Sequence, residues 1–430
     1  MGRLRGITDL LHDVVEKVTD LVQETHEQAS DKTVRMLGVV PPAGEVARAV
    51  ETVRRPAAGR VYESIRVTNR LVQGVVRVGL QTVPSDLDIA PGDAWPDLTQ
   101  ATLNAAFGDF LEAQGNALAT PMAVMHRGEP LPLDRGSLER AWPDPSERLC
   151  VFVHGLACTE REWYWGAEAA WGDPEACYGT RLRQDLGYTP VFIRYNTGLH
   201  ISDNGQRLAE LLDRLVAAHP RDVKELVLVG HSMGGLVSRS AVHYGHQAGR
   251  AWLAPLTHVF CIGSPHHGAP LEKASNMLAS VLGWFDTAGT QVPAKLLRAR
   301  SAGIKDLRFG NLVEEDWRDR DPDGLDDGRT SACMVQSVAY YFISGSVTAD
   351  PEHPLGQLLG DIMVSLPSAV GHHDEPLRRV EFQGGEVLGG MHHMALLNHP
   401  KVYEAIRRAL GGEGEPPAPA APPGPPAVDR

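Results

Sequence analysis

Residues 226–240 read LVLVGHSMGGLVSRS, and this stretch constrains the fold more than any other in the chain. An apolar run leads directly into a Gly-x-Ser-x-Gly motif, in which Ser232 lies between Gly230 and Gly234. An apolar pattern with helical spacing follows at once, so the stretch predicts a strand, a sharp turn and a helix. A short motif of this kind also occurs by chance. The order of elements around it is what a nucleophile elbow requires.

The composition is that of a soluble globular protein, and it excludes one class of function. Hydrophobic residues make up 43% of the 430 residues and charged residues 22%, which predicts a substantial core. The formal net charge of −13 argues against nucleic-acid binding, because such proteins usually present a basic face. No apolar segment is long enough to be transmembrane, and charged residues interrupt the stretch where a signal peptide would be apolar. We therefore expect a cytoplasmic protein.

The cysteines agree with that location. They form an odd and sparse set, which is typical of free thiols in a reducing compartment. A bridge between Cys158 and Cys177 is the alternative that the sequence leaves open. The five cysteines are Cys150, Cys158, Cys177, Cys261 and Cys333.

The first 118 residues predict a helical accessory region. Apolar residues recur at three-and-four spacing over residues 4–22, 61–80 and 98–118, as on the buried face of amphipathic helices. Acidic residues dominate the polar face of the first stripe, which disfavours peripheral contact with an anionic membrane. We expect these helices to pack on the rest of the chain or in an oligomer interface, and the sequence leaves the oligomeric state open.

From Pro121 onward, strands alternate with helices. This alternation predicts an α/β fold in which helices cover both faces of a mostly parallel sheet. We place this domain at residues 119–411, with an insertion or cap over the sheet at 268–336 and a disordered Pro/Ala-rich tail at 412–430. After two short strands around a turn at 127–128, the predicted strands are residues 149–153, 191–195, 226–229, 258–262 and 339–344.

A serine at an elbow becomes a nucleophile only with a base and an acid to support it. Where such an elbow is catalytic, the acid and then the histidine follow the serine along the chain. The candidate acid is Asp361, after the strand 339–344. The candidate base is His393, in a glycine-bearing loop before a predicted last helix at 396–410, and its neighbour His392 is the competing residue.

Two backbone amides are candidates for an oxyanion hole. One belongs to Met233, directly after the serine, and the other to Leu156, in the loop VFVHGLACTE after a predicted strand. In that loop we expect His154 to shape the backbone, since the position of the base is already filled. Three tryptophans follow the loop and either line an acyl pocket or pack in the core: Trp163, Trp165 and Trp171.

The chain resembles the α/β-hydrolases of the lipase and esterase group, close to bacterial relatives of the GPI inositol-deacylase-like hydrolases, over roughly residues 121–410. The resemblance implies an α/β-hydrolase fold and places the nucleophile at Ser232, the oxyanion loop at Leu156, the acid at Asp361 and the base at His393. The family often has Asp-Gly-x-Val at its acid, whereas this chain has Ile362 in place of the glycine. The motifs that carry the resemblance are FVHGL, RYNTGLHISDNG, LVGHSMGGLVSRSA, IGSPHHGAPLEKA, GDIMVSLPSA and GMHHMALLNHPKVY.

These residues predict a serine hydrolase of carboxylic esters, an esterase or lipase that acts on a small-molecule or lipid ester. His393 would take the proton of Ser232, Asp361 would orient His393, and water would then cleave the acyl-enzyme. No cofactor is implied. The histidine pairs 266–267 and 372–373 lack the spacing of a metal site, so none is expected. Two alternatives remain: a thioesterase or amidase with the same residues, or a catalytically silent scaffold used for binding.

Overall fold

A computed structural model describes residues 94–269, 301–320, 328–330, 332–351, 353 and 360–411. The predicted helices at 4–22 and 61–80 and the tail at 412–430 lie outside the described residues. Of the predicted insertion at 268–336, only parts are described. The chain divides into two compact units, one of Met1–Asp93 with Leu111–Ala119 and one of Ala94–Phe110 with Thr120–Arg430. The fold described below is that of the second unit, except that the helix at its start, Ala94–Ala113, ends in residues assigned to the first.

Strands and helices alternate along most of this unit. The helices are α1 (Ala94–Ala113), α2 (Arg135–Ala141), α3 (Ala167–Trp171), α4 (Tyr178–Leu186), α5 (Ile201–Ala218), α6 (Met233–Gln247), α7 (Ala302–Phe309), α8 (Leu366–Ala369) and α9 (Pro400–Gly411). The strands are β1 (Ala123–His126), β2 (Glu129–Pro130), β3 (Arg148–Val153), β4 (Thr189–Arg194), β5 (Glu225–His231), β6 (Leu256–Ile262), β7 (Ala339–Ser346) and β8 (Gly384–Gly389).

In the described residues these strands form one sheet in the order β2-β1-β4-β3-β5-β6-β7-β8. The short strands β1 and β2 pair antiparallel with each other, and β1 pairs antiparallel with β4. All pairs from β4 to β8 are parallel. The predicted α/β fold with a mostly parallel sheet is therefore confirmed.

The core lies on both faces of the central strands. Residues 149–153 of β3 and 226–229 of β5 are fully buried, with no alternation between buried and exposed positions. Strands buried on both faces are typical of a parallel sheet covered by helices, and their branched apolar side chains fill those two layers. In the described part of the chain, no helix has the length and apolar composition needed to cross a bilayer.

The C-terminal end differs from the sequence prediction in two places. Strand β8 was not predicted, because its sequence GGEVLG is rich in glycine, which disfavours strands; its pairing with β7 forms it. The last helix was predicted from residue 396 but begins at Pro400, since proline is favoured at the first helical position. A 3₁₀ turn, His393–Leu397, occupies the preceding residues.

Candidate active site

Ser232 lies where β5 ends and α6 begins, in a backbone conformation that few side chains adopt. Its φ of +53° and ψ of −121° place it in a region of strain for a residue other than glycine. Its backbone amide donates to the carbonyl oxygen of Ile262 in the neighbouring strand at 2.7 Å. Its hydroxyl is buried and has no hydrogen-bond partner among the described residues. The turn thus places an unbonded hydroxyl at the carboxyl end of β5.

The two elbow glycines are explained by close approach of backbone to backbone. A Cβ on Gly230 would overlap the backbone of Gly234, one turn ahead. A Cβ on Gly234 would overlap the carbonyl oxygen of Val153, at the end of β3. Only glycine allows the first turn of α6 to lie this close to the sheet.

His393 and Asp361 form a buried pair. The Nδ1–H of His393 donates to Oδ2 of Asp361 at 2.7 Å, and the two side chains are 2% and 0% exposed. The other carboxylate oxygen accepts from the backbone amides of Met363 at 3.0 Å and Val364 at 2.8 Å. The backbone amide of His393 also donates to the carbonyl oxygen of Asp361. The residues chosen from the sequence as acid and base are therefore in direct contact.

The serine and this pair lie at the same end of the sheet. A Cβ placed on Gly263 would come within 3.2 Å of the His393 ring, and Gly263 follows the residue to which Ser232 is bonded. His231, next to Ser232, donates from Nε2 to the carbonyl oxygen of His393 at 3.2 Å. The rings of His231 and His393 have centroids 4.8 Å apart. The structure brings the three predicted residues into one neighbourhood.

His231 also contacts His393 in this site, although the sequence analysis did not single it out. Burial, more than the nearby His393, lowers its pKa well below the usual range. It therefore stays neutral near pH 7 and serves as a hydrogen-bond donor to the His393 backbone. Its place beside the serine in the motif was the available signal, but a histidine there has no fixed chemical role.

The loop after β3 borders the serine. A Cβ on Gly155 would lie 3.1 Å from the Cβ of Ser232, so the candidate oxyanion residue Leu156 adjoins the elbow. The next residue, Ala157, has a φ of +58°, and its backbone amide donates to the Thr197 hydroxyl at 3.3 Å. The loop is thus fixed from the side by the chain after β4.

His154 links this loop to the chain after β4. Its Nδ1 bonds to the carbonyl oxygen of Gly155 at 2.9 Å, and its ring stacks on Tyr195 with centroids 4.4 Å apart. The Tyr195 hydroxyl donates to the carbonyl oxygen of His154 at 2.7 Å. Burial lowers the pKa of His154 to about 3, so the ring is neutral at physiological pH. Tyr195 belongs to the motif RYNTG, whose role the sequence did not reveal.

The buried carboxyl group of Glu162 bonds to Thr159, which comes directly after the loop that follows β3. Glu162, in the 3₁₀ turn Glu160–Tyr164, accepts hydrogen bonds from the backbone amide and the hydroxyl of Thr159. Its side chain is buried, and burial raises its pKa to about 7 although both bonds from Thr159 lower it. Glu162 is therefore partly protonated at neutral pH.

The tryptophans and histidine pairs have varied surroundings. Trp163 is fully buried and packs edge-on against Phe152, while Trp171 donates from Nε1 to Asn398 at 2.9 Å. Trp165 is partly buried against the core.

His267 and His373 approach each other, with ring centroids 5.1 Å apart. No group of three His, Cys, Asp or Glu side chains that could hold a metal occurs among the described residues. All five cysteines are free.

Ile362 occupies the position of the family's glycine at a cost. Its φ is +82°, a conformation that is strongly disfavoured for a β-branched residue, and its side chain is 56% exposed. It lies between Asp361 and the two amides that bind the Asp361 carboxylate. The strained turn at Ile362 is therefore held in place by the surrounding hydrogen bonds.

Replacing Ile362 by glycine should raise the free energy of unfolding by about 1 kcal/mol. Relief of the strain, on the order of 1–3 kcal/mol, exceeds the additional chain entropy that glycine loses on folding, about 0.5–1 kcal/mol. Urea denaturation measures the change. Ile362→Ala is the matched control, since it keeps a Cβ at the same φ and should gain less. A glycine variant less stable than the parent would contradict the strain.

Glu162→Gln should remove one component of the pH dependence of stability. The pKa of Glu162 is raised on folding, so its contribution is fully present below about pH 4.5 and is lost as the pH rises through about 7. The stability of the parent relative to the variant should therefore fall by up to about 3 kcal/mol between these limits. Denaturant titrations of both proteins across this range measure the difference, in which the shared histidine contributions cancel. Parallel stability curves would contradict the buried, proton-binding carboxyl group.

Comparison with known proteins agrees with the fold. Residues 146–317 match the family model of the PGAP1-like alpha/beta domain. No curated protein sequence matches the chain.

Solved structures similar to this chain include the mature form of the Bacillus licheniformis lipase BlEst2, with 22% identity and a TM-score of 0.37 over 62% of this chain and 93% of that one. The phospholipase PlaB from Legionella pneumophila is 16% identical, with a TM-score of 0.37 over 63% of this chain and 60% of that one. Aspergillus fumigatus lipase B is 12% identical, with a TM-score of 0.38 over 67% and 60%. The sheet order, the elbow at Ser232 and the family match give the chain an α/β-hydrolase fold and a resemblance to the PGAP1-like serine hydrolases.

Proposed function

We propose that this protein hydrolyses carboxylic esters through an acyl-enzyme on Ser232. The observation that carries the proposal is the buried His393–Asp361 pair, which lies at the same end of the sheet as a serine held at positive φ. A fully buried carboxylate on a histidine is an expensive arrangement unless it has a role. Beside a strained serine with an unbonded hydroxyl, that role is activation of a nucleophile.

The hydrogen bond to Asp361 supports a separate role for each nitrogen of His393. Nδ1 is committed to Asp361, which leaves Nε2 to take the proton from the Ser232 hydroxyl as it attacks the acyl carbon. The proton then passes to the leaving alcohol, and water hydrolyses the acyl-enzyme by the same route. Asp361 keeps His393 oriented and stabilises its protonated form, while two backbone amides hold the carboxylate in place.

The oxyanion of the tetrahedral intermediate would be bound by the backbone amides of Met233 and Leu156. Met233 is the first residue of α6, where amides have no partner within the helix and the helix dipole is positive. Leu156 lies in the loop that adjoins Ser232 through Gly155. Each such donor contributes on the order of 3 kcal/mol to lowering the barrier.

Ser232→Ala should abolish ester hydrolysis without unfolding the protein. The measurement is kcat/KM on p-nitrophenyl esters of graded acyl length, with thioester and amide analogues beside them, and a thermal melt. We expect less than about one hundredth of the activity, because the nucleophile acts with its partners as a unit. Ser238→Ala is the matched control on the same helix; its hydroxyl donates to the carbonyl oxygen of Gly234 at 2.8 Å, a bond within α6, and has no part in the proposed chemistry. A Ser232→Ala variant that is as active as the parent and the Ser238→Ala control would exclude Ser232 as the nucleophile. A parent protein inactive on every substrate would favour the scaffold.

The two adjacent histidines should behave differently. His393→Ala should be nearly as damaging as the serine change, whereas His392→Ala should retain most of the activity. His393 is buried on Asp361, while His392 is exposed and caps the following 3₁₀ turn through the amide of Ala395. Steady-state kinetics of the two variants, with circular dichroism to check the fold, make the comparison. An essential His392 beside a dispensable His393 would overturn the assignment of the base.

A further inference from the structure

A cavity of about 680 Å³ lies beside the loop that follows β6. Its size is in the range of small-molecule sites. Its walls come from α6, from the loop after β6, from parts of residues 310–316, from residues 329–330 and 332–334, and from residues 375–376 and 378–381. The lining residues used in the argument below are Arg239, His266, Arg329, Ala332 and Cys333.

Arg239 places a positive charge in the wall of this cavity. It lies on α6, seven residues after Ser232, and is 7% exposed. Its Nη1 donates to Nδ1 of His266 at 3.0 Å, while its Nε has no hydrogen-bond partner among the described residues. Arginine stays charged in proteins. The Asp316 carboxylate acts electrostatically on this charge, while the Nε donor has no hydrogen-bond partner among the described side chains and is available to an anion.

His266 adds a second unused donor. Arginine can only donate, so Nδ1 of His266 accepts from Arg239 and the ring proton lies on Nε2. That Nε2 is buried and has no partner in the described ranges. Burial and the neighbouring arginines lower the pKa of His266 well below its usual range, so the ring is neutral. Two residues that each carry an unpaired, buried N–H donor thus line the same cavity.

The other charged groups of the wall carry both signs, and those treated below differ in how they are paired. Arg329 donates to the carbonyl oxygen of His266 at 2.8 Å, which brings a second guanidinium to the same side. The Asp316 carboxylate is committed to capping: one oxygen accepts two backbone amides and the other the amide and hydroxyl of Thr330. Glu375 is paired with Arg378 at 2.8 Å, and Glu381 is exposed to solvent.

We propose that this cavity is a binding site for an anionic ligand, held through a carboxylate or phosphate group by Arg239 and His266. Oxygens of such a group would accept hydrogen bonds from N–H groups of the guanidinium and the imidazole, and charge-assisted bonds of this kind are strong. The site is separate from the serine, because seven residues along a helix span about 10 Å. It does not depend on whether Ser232 hydrolyses esters.

The thiol of Cys333 offers a local probe. It lines the cavity and is partly exposed, whereas the other four cysteines are buried. The full-length protein is alkylated with iodoacetamide in inorganic phosphate, in acetate, or in sodium chloride of equal ionic strength, and the rate at Cys333 is read by mass spectrometry. We expect phosphate or acetate to slow the reaction at least threefold relative to chloride.

Two variants test whether the protection comes from this site. Arg239→Met removes the charge, and Ala332→Leu fills space in the cavity while leaving the charge in place; near-ultraviolet circular dichroism checks both folds. Protection should disappear in each folded variant, and Ala332→Leu alone decides the matter if the arginine variant does not fold. Protection by phosphate alone, or by acetate alone, identifies the group that is bound. No protection by either anion in the parent, or equal protection in a folded variant, would overturn the proposal.

Discussion

The close packing of the first turn of α6 against the end of β3 is the constraint on which the rest of the site depends. Gly234 allows the helix backbone to reach the carbonyl oxygen of Val153, and Gly230 allows the strand to turn beneath it. The same approach places Gly155 beside Ser232. A side chain at either elbow glycine would separate the serine from the loop after β3. The position of Ser232 relative to the loop after β3 therefore depends on the absence of a Cβ atom at Gly230 and Gly234.

A second level of order comes from hydrogen bonds to the backbone. Asp361 is held by two amides, His393 by Asp361, and the His393 carbonyl by His231. These contacts explain how Ile362 can occupy a conformation that favours glycine: the bonds on either side fix the turn more strongly than one residue's preference can oppose. The departure from the family pattern changes the local strain and leaves the His393–Asp361 contact intact.

The features of the fold and the site that could be predicted are those that depend on the hydrophobic pattern and on the order of residues along the chain. The parallel sheet followed from the alternation of apolar strands and helices, and Ser232 from a motif with a strand on one side and a helix on the other. Asp361 and His393 followed from their order after the serine, and the structure places them in contact. Strand β8 was missed because its glycines carry no strand preference, so only pairing with β7 reveals it.

Other features depend on long-range contacts and leave no local pattern. The stacking of His154 on Tyr195 joins residues 41 positions apart, and the bond between Arg239 and His266 joins residues 27 apart. In the sequence Arg239 is one polar residue in a helix. The pair 266–267 was weighed there only as a metal ligand. In the structure His266 instead faces a guanidinium, and a cationic partner is a poor neighbour for a metal ion.

The motif GHSMGG carries one glycine more than an elbow needs, and its position links the two sites. A Cβ on Gly235 would overlap the hydroxyl of Ser264, in the loop that follows β6. This glycine therefore lets that loop lie against α6, two residues before His266 meets Arg239. Gly230 and Gly234 bring the helix to the sheet at the serine, and Gly235 brings the next loop to the helix. The three glycines thus position both the proposed nucleophile and one wall of the cavity lined by Arg239 and His266.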